Sequence, residues 1–284
     1  MSPLVVDRLS VEALGAGRAR ARLLRAVSME VRPGSVHGLV GESGAGKSTL
    51  AKAVLGILPP GLSVTGGSIR VAGRDHLTAR APGDVSFIPQ DPLSALNPSR
   101  RIRDQLADAL RRSGASRGAA DEEMRRLLTA VRIDETERVL KSYPHQLSGG
   151  MRQRVLIASA FSTAPKLILA DEPTTALDVT VQRRILKLIR AMQRDAGAAM
   201  IFVTHDLGVV AQICDEVTVL YAGKVVEQGP VAQIFHAPRH PYTRALLAAS
   251  PRPDGDQGLT PVDPAVFTTL AAEIADFDAA EATP

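Results

Sequence analysis

The stretch Gly41-Glu42-Ser43-Gly44-Ala45-Gly46-Lys47-Ser48-Thr49 decides how this chain folds. Its spacing, G-x-x-x-x-G-K-S, is that of a phosphate-binding loop. Ahead of it, Val36-His37-Gly38-Leu39-Val40 is an apolar run of strand length; behind it, Leu50 to Leu58 continues without a breaker until Pro59-Pro60. Strand, loop and helix in that order are the setting in which the pattern carries chemistry. Glycines permit positive φ, so successive backbone N–H groups and the positive end of the helix converge on polyphosphate oxygens. Lys47 adds a mobile charge for the β and γ phosphates, and the Ser48 hydroxyl is suited to ligate Mg²⁺.

With 284 residues the chain can bury a substantial core. Its formal charge of +4 is unevenly spread, because residues 254–284 hold seven acids (Asp254, Asp256, Asp263, Glu273, Asp276, Asp278, Glu281) and no Lys or Arg. The body therefore carries 34 basic against 23 acidic residues, a net +11. Such a surface suits polyanions, nucleotide included, or an anionic membrane, and equally an ordinary Arg-rich solvated exterior. The single cysteine, Cys214, excludes an intramolecular disulfide and a cysteine-only cluster held by this chain alone. It lies in an apolar helical pattern and reads as a buried, inert thiol. The start, Met1 to Arg8, lacks a basic segment followed by a long apolar run, and no stretch reaches the roughly 18 apolar residues of a membrane span. A soluble, cytoplasmic chain is expected.

Along the chain, Leu4-Val5-Val6, Ala26 to Val31, Ser68 to Val71 and Val85 to Ile88 read as further strands. Between Gln90 and Pro165 the pattern turns helical: Met124, Leu127, Leu128 and Val131 recur on one face, with Asp121, Glu122, Arg125 and Arg126 opposite. Ser113 to Ala120, small and Gly-containing, reads as a connecting loop. Lys166 to Ala170 is a continuous apolar strand of the kind buried inside a parallel sheet. A helix Val181 to Arg194 and a strand Ala198 to Val203 follow, and Val217 to Tyr221 with Lys224 to Glu227 form a hairpin across Ala222-Gly223. Alternating strands and helices place the fold in the α/β class, with ligands at the carboxyl ends of the strands.

Two further stretches carry chemistry. The apolar strand ends in Asp171-Glu172, where a carboxylate is tolerated only beside a cation. Mg²⁺ shared with Ser48 supplies one for Asp171, and Glu172 is then placed to orient or deprotonate an attacking water. The second is Leu147-Ser148-Gly149-Gly150-Met151-Arg152-Gln153, in which Ser-Gly-Gly opens a helix running to about Phe161 and makes a second anion-binding helix start.

This last run closely resembles the signature motif of ATP-binding-cassette ATPases. Its company is similar too: Gln90 after a strand like their Q-loop, Ala176-Leu177-Asp178 like their D-loop, His205 like their switch histidine, in the family's order over residues 35–210. The resemblance implies a P-loop NTPase (RecA-like) parallel-sheet core with an antiparallel β subdomain (residues 1–90 and 166–230), an inserted α-helical subdomain (91–165) and a C-terminal extension (231–284). It also implies ATP with Mg²⁺ as ligands and ATP hydrolysis coupled to solute transport. Gly41 to Thr49, Lys47 above all, would hold the nucleotide together with Gln90; Ser48, Gln90 and Asp171 the metal; Glu172, His205 and Lys47 would serve hydrolysis. In this family two ATPase domains face head to tail, so Ser148, Gly149, Gly150 and Gln153 would serve the partner's nucleotide, and Asp178 would be a further nucleotide-binding residue.

Pro89-Gln90-Asp91-Pro92-Leu93-Ser94-Ala95-Leu96-Asn97-Pro98 resembles the Q-loop region of peptide-importer ATPases, and His240-Pro241-Tyr242-Thr243-Arg244-Ala245-Leu246-Leu247 their C-terminal segment. That branch implies a second, different ATPase subunit, two transmembrane permease chains and an extracytoplasmic substrate-binding protein, with this chain peripheral at the cytoplasmic membrane face. Importers of nickel, opines or other small solutes share these features. A cassette ATPase acting on nucleic acid is disfavoured, since no long coiled-coil insertion separates the two halves and Gln90 to Pro98 looks like a permease-contacting stretch; an accessory ATPase of a soluble complex is the other rival. A guanine-reading Asn-Lys-x-Asp is impossible, because the only asparagine, Asn97, precedes Pro98. Two features depart from the family. Nothing from Leu14 to Arg25 is aromatic, which leaves Arg18, Arg20 or Arg22 to stack on adenine. The tail has no cysteine and instead carries Phe267, Leu270, Ile274 and Phe277 as an apolar stripe among acids, an amphipathic helix expected to dock, either on its own core or on the sister subunit.

Overall fold

The computed structural model describes residues 1–14, 20–78, 83–112, 114, 116–174, 178–249 and 264–282. The elements in chain order are β1 (Leu4–Leu14), β2 (Arg20–Val31), β3 (Val36–Val40), α1 (Lys47–Leu55), β4 (Leu62–Val71), β5 (Arg74–Asp75), β6 (Val85–Ile88), α2 (Pro92–Ala95), α3 (Ile102–Arg112), α4 (Arg117–Ala130) and α5 (Thr136–Lys141). After a 3₁₀ turn at Pro144–Gln146 come α6 (Gly149–Phe161), β7 (Leu167–Asp171), α7 (Val179–Ala196), β8 (Ala199–Val203), α8 (Leu207–Ile213), β9 (Glu216–Tyr221), β10 (Lys224–Pro230), α9 (Val231–His236), α10 (Pro241–Ala248) and α11 (Pro264–Ala282). The chain forms two compact units, one of Met1–Val5, Glu30–Ser35 and Arg70–Ile201, the other of Val6–Met29, Val36–Ile69 and Phe202–Pro284.

In the first unit β6 and β7 pair in parallel, from Val85↔Leu167 to Ile88↔Ala170. Leu167 to Ala170 are fully buried, which is why this strand reads as unbroken apolar sequence. The helices α3 to α6 build their own core, with Leu106 and Leu110 of α3, Met124, Leu127 and Leu128 of α4, and Val139 and Leu140 of α5 all buried. Here the expected loop 113–120 gives way: α4 starts at Arg117, with Ser116 Oγ accepting the Ala119 N–H at 3.4 Å. A capping serine and the burial of Ala120 outweigh the weak helix propensity of Gly118. Ser113 and Ala115 lie outside the described residues.

In the second unit β3 runs parallel to β9, from His37↔Glu216 to Val40↔Val219, and β9 turns at Ala222-Gly223 into antiparallel β10. The larger parts of β2, β1 and β4 form a separate sheet in that order. Both β1 and β2 are longer than their sequence suggested. In β1 the buried residues are Leu4 and Val6, then Leu9 and Val11; in β2 Leu24, then Val27, Met29 and Val31. Each strand slips by one residue where its backbone turns left-handed, at Arg8 (φ 46°) and Ala26 (φ 45°). The slipped residues are held across the pair, Arg8 N–H by Ser28 Oγ at 2.9 Å and Ala26 N–H by Ser10 Oγ at 3.1 Å. A period-2 pattern that shifts phase partway loses its signature.

The core of this unit joins Val40, Leu207, Val210, Val217, Val219, Ile234, Tyr242 and Leu270. Leu270 belongs to α11, so of the two docking places expected for the acidic tail helix the structure shows its own core. Asp278 of α11 meets Arg25 of β2 through Nε at 2.9 Å and Nη2 at 3.0 Å, and Lys224 sits 5.1 Å above the Phe277 ring. Cys214 departs from its expected place: it is the C-cap of α8, half-buried, rather than a buried residue within a helix.

Candidate nucleotide-binding site

The phosphate-loop segment folds as the strand-loop-helix its flanks require. Gly41 (φ 154°) takes a conformation in which a Cβ would collide with the Leu220 carbonyl oxygen, so glycine alone fits there. Gly46 (φ 103°) is the N-cap of α1, and a Cβ on it would lie 3.0 Å from the Leu23 carbonyl. The first turn of α1 has no acidic residue, so the helix start keeps its positive end. Lys47 is buried, and its Nζ donates to the carbonyls of Gly41 at 2.6 Å and Glu42 at 2.8 Å. Backbone bonds Ala45 N–H to Glu42 O (3.1 Å) and Gly223 N–H to Ala45 O (2.8 Å) tie the loop to itself and to the β9–β10 turn. Ser43, Gly44 and Ser48 are exposed. Loop amides, a helix start and an ammonium form a donor set that fits a polyphosphate.

His205 is exposed between β8 and α8, in a turn that Asp206 stabilises by capping α8, its carboxylate accepting from Gly208 N at 2.8 Å and Val209 N at 3.2 Å.

In the first unit the two carboxylates end β7. Asp171 is its last residue, and Glu172 follows in a left-handed backbone (φ 44°) uncommon for a side chain that is not glycine. Gln90 Nε2 donates to Glu172 Oε2 at 3.3 Å. The register explains the pairing: Ile88 faces Ala170, and Gln90 and Glu172 each stand two residues further on.

The signature run caps α6. Ser148 Oγ accepts from Met151 N at 3.3 Å, and a Cβ on Gly149 or Gly150 would meet nothing within 4 Å, so this helix start is open. Gln153 is placed differently from its neighbours: it is 2% exposed and its Nε2 donates to the Pro173 carbonyl at 3.0 Å, bracing the residue after Glu172. Asp178 caps α7, its carboxylate accepting from Thr180 N and Val181 N, both at 3.0 Å; Ala176 and Leu177 lie outside the described residues.

Around Gln90, Asp91 caps α2, and the Leu93 amide it accepts holds its carboxyl below the usual range. Leu93 is 63% exposed. Sequence reasoning missed Gln105, whose Oε1 accepts from Asn97 N at 2.9 Å and whose Nε2 donates to Asn97 O at 3.1 Å, clamping this loop from α3. It also missed Tyr242, whose Oη accepts the Glu42 N–H at 3.2 Å. No sequence signal links Glu42 and Tyr242, 200 positions apart. Of the arginines proposed for adenine stacking, Arg18 and the Arg20 side chain lie outside the described residues. Arg22 is engaged with Glu12 at 3.4 Å and Asp278 at 3.3 Å.

Known proteins resemble most of this chain. The sequence model described as ABC transporter matches residues 24–175, and that of the oligopeptide/dipeptide transporter C-terminal region matches residues 226–272. The dipeptide transport ATP-binding protein DppD of Bacillus subtilis is 45% identical over 250 residues, 84% of this chain and 75% of that protein. The probable D,D-dipeptide transport ATP-binding protein DdpD of Escherichia coli is 45% identical over 256 residues, 87% and 78% of the two chains. Among solved structures, a dimeric ATP-binding cassette in a post-hydrolysis state with ADP and Pi matches with a TM-score of 0.68 at 25% identity, over 80% of this chain and 98% of that one.

Proposed function

This chain belongs to the ABC transporter family as an ATP-hydrolysing subunit, and from that premise we propose that it is the motor of an importer for di- or oligopeptides. The observation that carries the peptide branch is the match of residues 226–272 to the C-terminal region of oligopeptide/dipeptide transporters, in the company of relatives named for dipeptide transport.

Mg²⁺-ATP, when bound, supplies the transferable phosphoryl group and the free energy of the cycle. The loop amides from Gly41 to Thr49 and the Lys47 ammonium would hold its phosphates, and Ser48, Asp171 and Gln90 would be the metal's ligands. Glu172 accepts the proton of the attacking water, with the Gln90 amide 3.3 Å away fixing the carboxylate and relaying its state to the α2 region. His205 assists hydrolysis. The α6 start, Ser148 with Gly149 and Gly150, presents amides to the nucleotide of a second ATPase subunit, and Asp178 supports that interface by fixing the start of α7. Gln153, being buried, acts instead by holding the backbone next to Glu172.

Among the described residues no helix is long and apolar enough to cross a membrane. We assign passage of solute to two permease chains, with this subunit peripheral on their cytoplasmic side and a substrate-binding protein delivering the peptide outside. The exposed Leu93 beside Gln90 is the contact we assign to a permease. The decisive experiment is recovery of a Glu172→Gln variant from gently solubilised native membranes with ATP-Mg. Two multi-span permeases and a second cassette ATPase are expected; soluble enzymes, ribosomes or DNA alone would refute the importer while leaving the ATPase.

A further inference from the structure

The segment His240-Pro241-Tyr242 has no part in the chemistry above, yet it reaches into the hydrogen bonds of the phosphate loop. Its local structure is built for that. The Glu227 carboxylate of β10 accepts the N–H groups of Arg239 at 2.7 Å and His240 at 3.0 Å, fixing the approach to α10. His240 Nδ1 accepts the Tyr242 N–H at 3.1 Å as N-cap, and Pro241 occupies the start of the helix, where its lack of an N–H costs nothing. Tyr242 is thereby turned inward and fully buried, its ring 4.8 Å from that of Tyr221 and in one cluster with Leu270 of α11.

The N–H that Tyr242 accepts, that of Glu42, shares one peptide group with the Gly41 carbonyl. Lys47 Nζ holds the carbonyl end of that group at 2.6 Å, and Tyr242 Oη holds the amide end at 3.2 Å. Gly41 is also the loop residue whose backbone only glycine can adopt, packed against the Leu220 carbonyl, so the loop's shape depends on how this one peptide group is held. A phosphate drawn to this loop competes with the Gly41 carbonyl for the Lys47 ammonium, and the tyrosine hydroxyl still holds the amide end of the peptide.

We propose that Tyr242 is a positioning residue of the nucleotide site, fixing the Gly41–Glu42 peptide so that the loop keeps its phosphate-binding shape when Lys47 turns to the nucleotide. The C-terminal segment is by this account a brace of the phosphate loop. The proposal rests on the reading of Gly41 to Thr49 as the ATP site.

Tyr242→Phe tests it, because the phenyl ring keeps the packing and removes only Oη. On the purified full chain, the dissociation constant for ADP is expected to rise about fivefold, the size of one neutral hydrogen bond, and amide exchange over residues 41–46 to rise by a similar factor. In the assembled transporter the KM for ATP rises with kcat unchanged, as for a lost ground-state contact. Wild-type ADP affinity with wild-type exchange in Tyr242→Phe would overturn the proposal, leaving the ring's packing as all that Tyr242 contributes. Lys47→Ala, measured alongside, keeps the two readings separate: if it too leaves ADP affinity unchanged, the phosphate-loop assignment itself fails. If it abolishes ADP binding while Tyr242→Phe does not alter it, only the tyrosine's role falls.

Discussion

Asp278→Ala isolates what holds the acidic tail on the second unit. The carboxylate grips Arg25 through two hydrogen bonds of 2.9 and 3.0 Å, a charge-assisted pair whose acid side chain is 34% exposed and whose arginine is 13% exposed. Fully buried pairs cost about 3–5 kcal/mol to break, and exposed ones about 0.2–1. With a third of the carboxylate in water the screened value falls near 1 kcal/mol. Arg25 is not orphaned by the change, since its Nη1 still donates to Ala222 O at 2.6 Å and Arg22 O at 3.0 Å. The loss therefore appears as opening of α11 rather than global unfolding. About 1 kcal/mol corresponds to a roughly fivefold larger open population, read as about fivefold faster amide exchange over residues 264–282. The pH dependence has a definite sign. The hydrogen bond from Arg25, with its charge, holds the Asp278 carboxyl below its ordinary 3.8. Its stabilisation is thus present in full above pH 3.8 and is lost as pH falls through the lower folded-state value. Wild type and variant should differ equally at pH 6 and pH 8 and converge in acid. Exchange in α11 unchanged by the substitution would refute the ion-pair account, and would assign tail docking to Leu270 and its neighbours alone.

Leu270→Ala should cost about 2–3 kcal/mol in denaturant unfolding, the usual toll of removing a buried leucine from a packed cluster; a loss below 0.5 would mean α11 contributes little to the core. Glu172→Gln should retain ATP-Mg binding and lose turnover by about 10²-fold or more, the contribution of a general base; full hydrolysis would place the base elsewhere. Ser148→Arg should leave this chain's own ATP affinity intact while crippling hydrolysis in the assembled pair, and loss of binding by the isolated chain would show that Ser148 acts on its own nucleotide.

What the sequence makes legible is whatever is contiguous. The phosphate loop, the capped signature helix and the β9–β10 hairpin each carry their turn chemistry within about ten residues, and each folds as its pattern predicts. The sequence is silent where a phase changes or a partner is distant. Arg8 and Ala26 shift the alternation of β1 and β2 by one residue, so the buried positions on either side no longer share a period. Ser116 begins α4 in a stretch whose composition favours a turn. Arg22 and Asp278 meet across 256 positions, and Glu42 and Tyr242 across 200, separations over which no local pattern carries information.

The same distinction accounts for the site. Motif spacing groups Gln153 with Ser148 and Gly150, because all three lie in one short run. A helix nevertheless turns by 3.6 residues, so the five positions from Ser148 to Gln153 change the face presented, and Gln153 points into the core toward Pro173 while Gly149 and Gly150 face open space. Gln90 and Glu172 lie 82 positions apart, and no motif relates them. They become neighbours through β6 and β7, two apolar runs that pair with Ile88 facing Ala170 and release both side chains two residues beyond the last pair. A contact between distant residues is thus predictable from sequence when each follows a strand and the two strands share a register. It is unpredictable when, as for Tyr242, the reach comes from a helix placed by tertiary contacts.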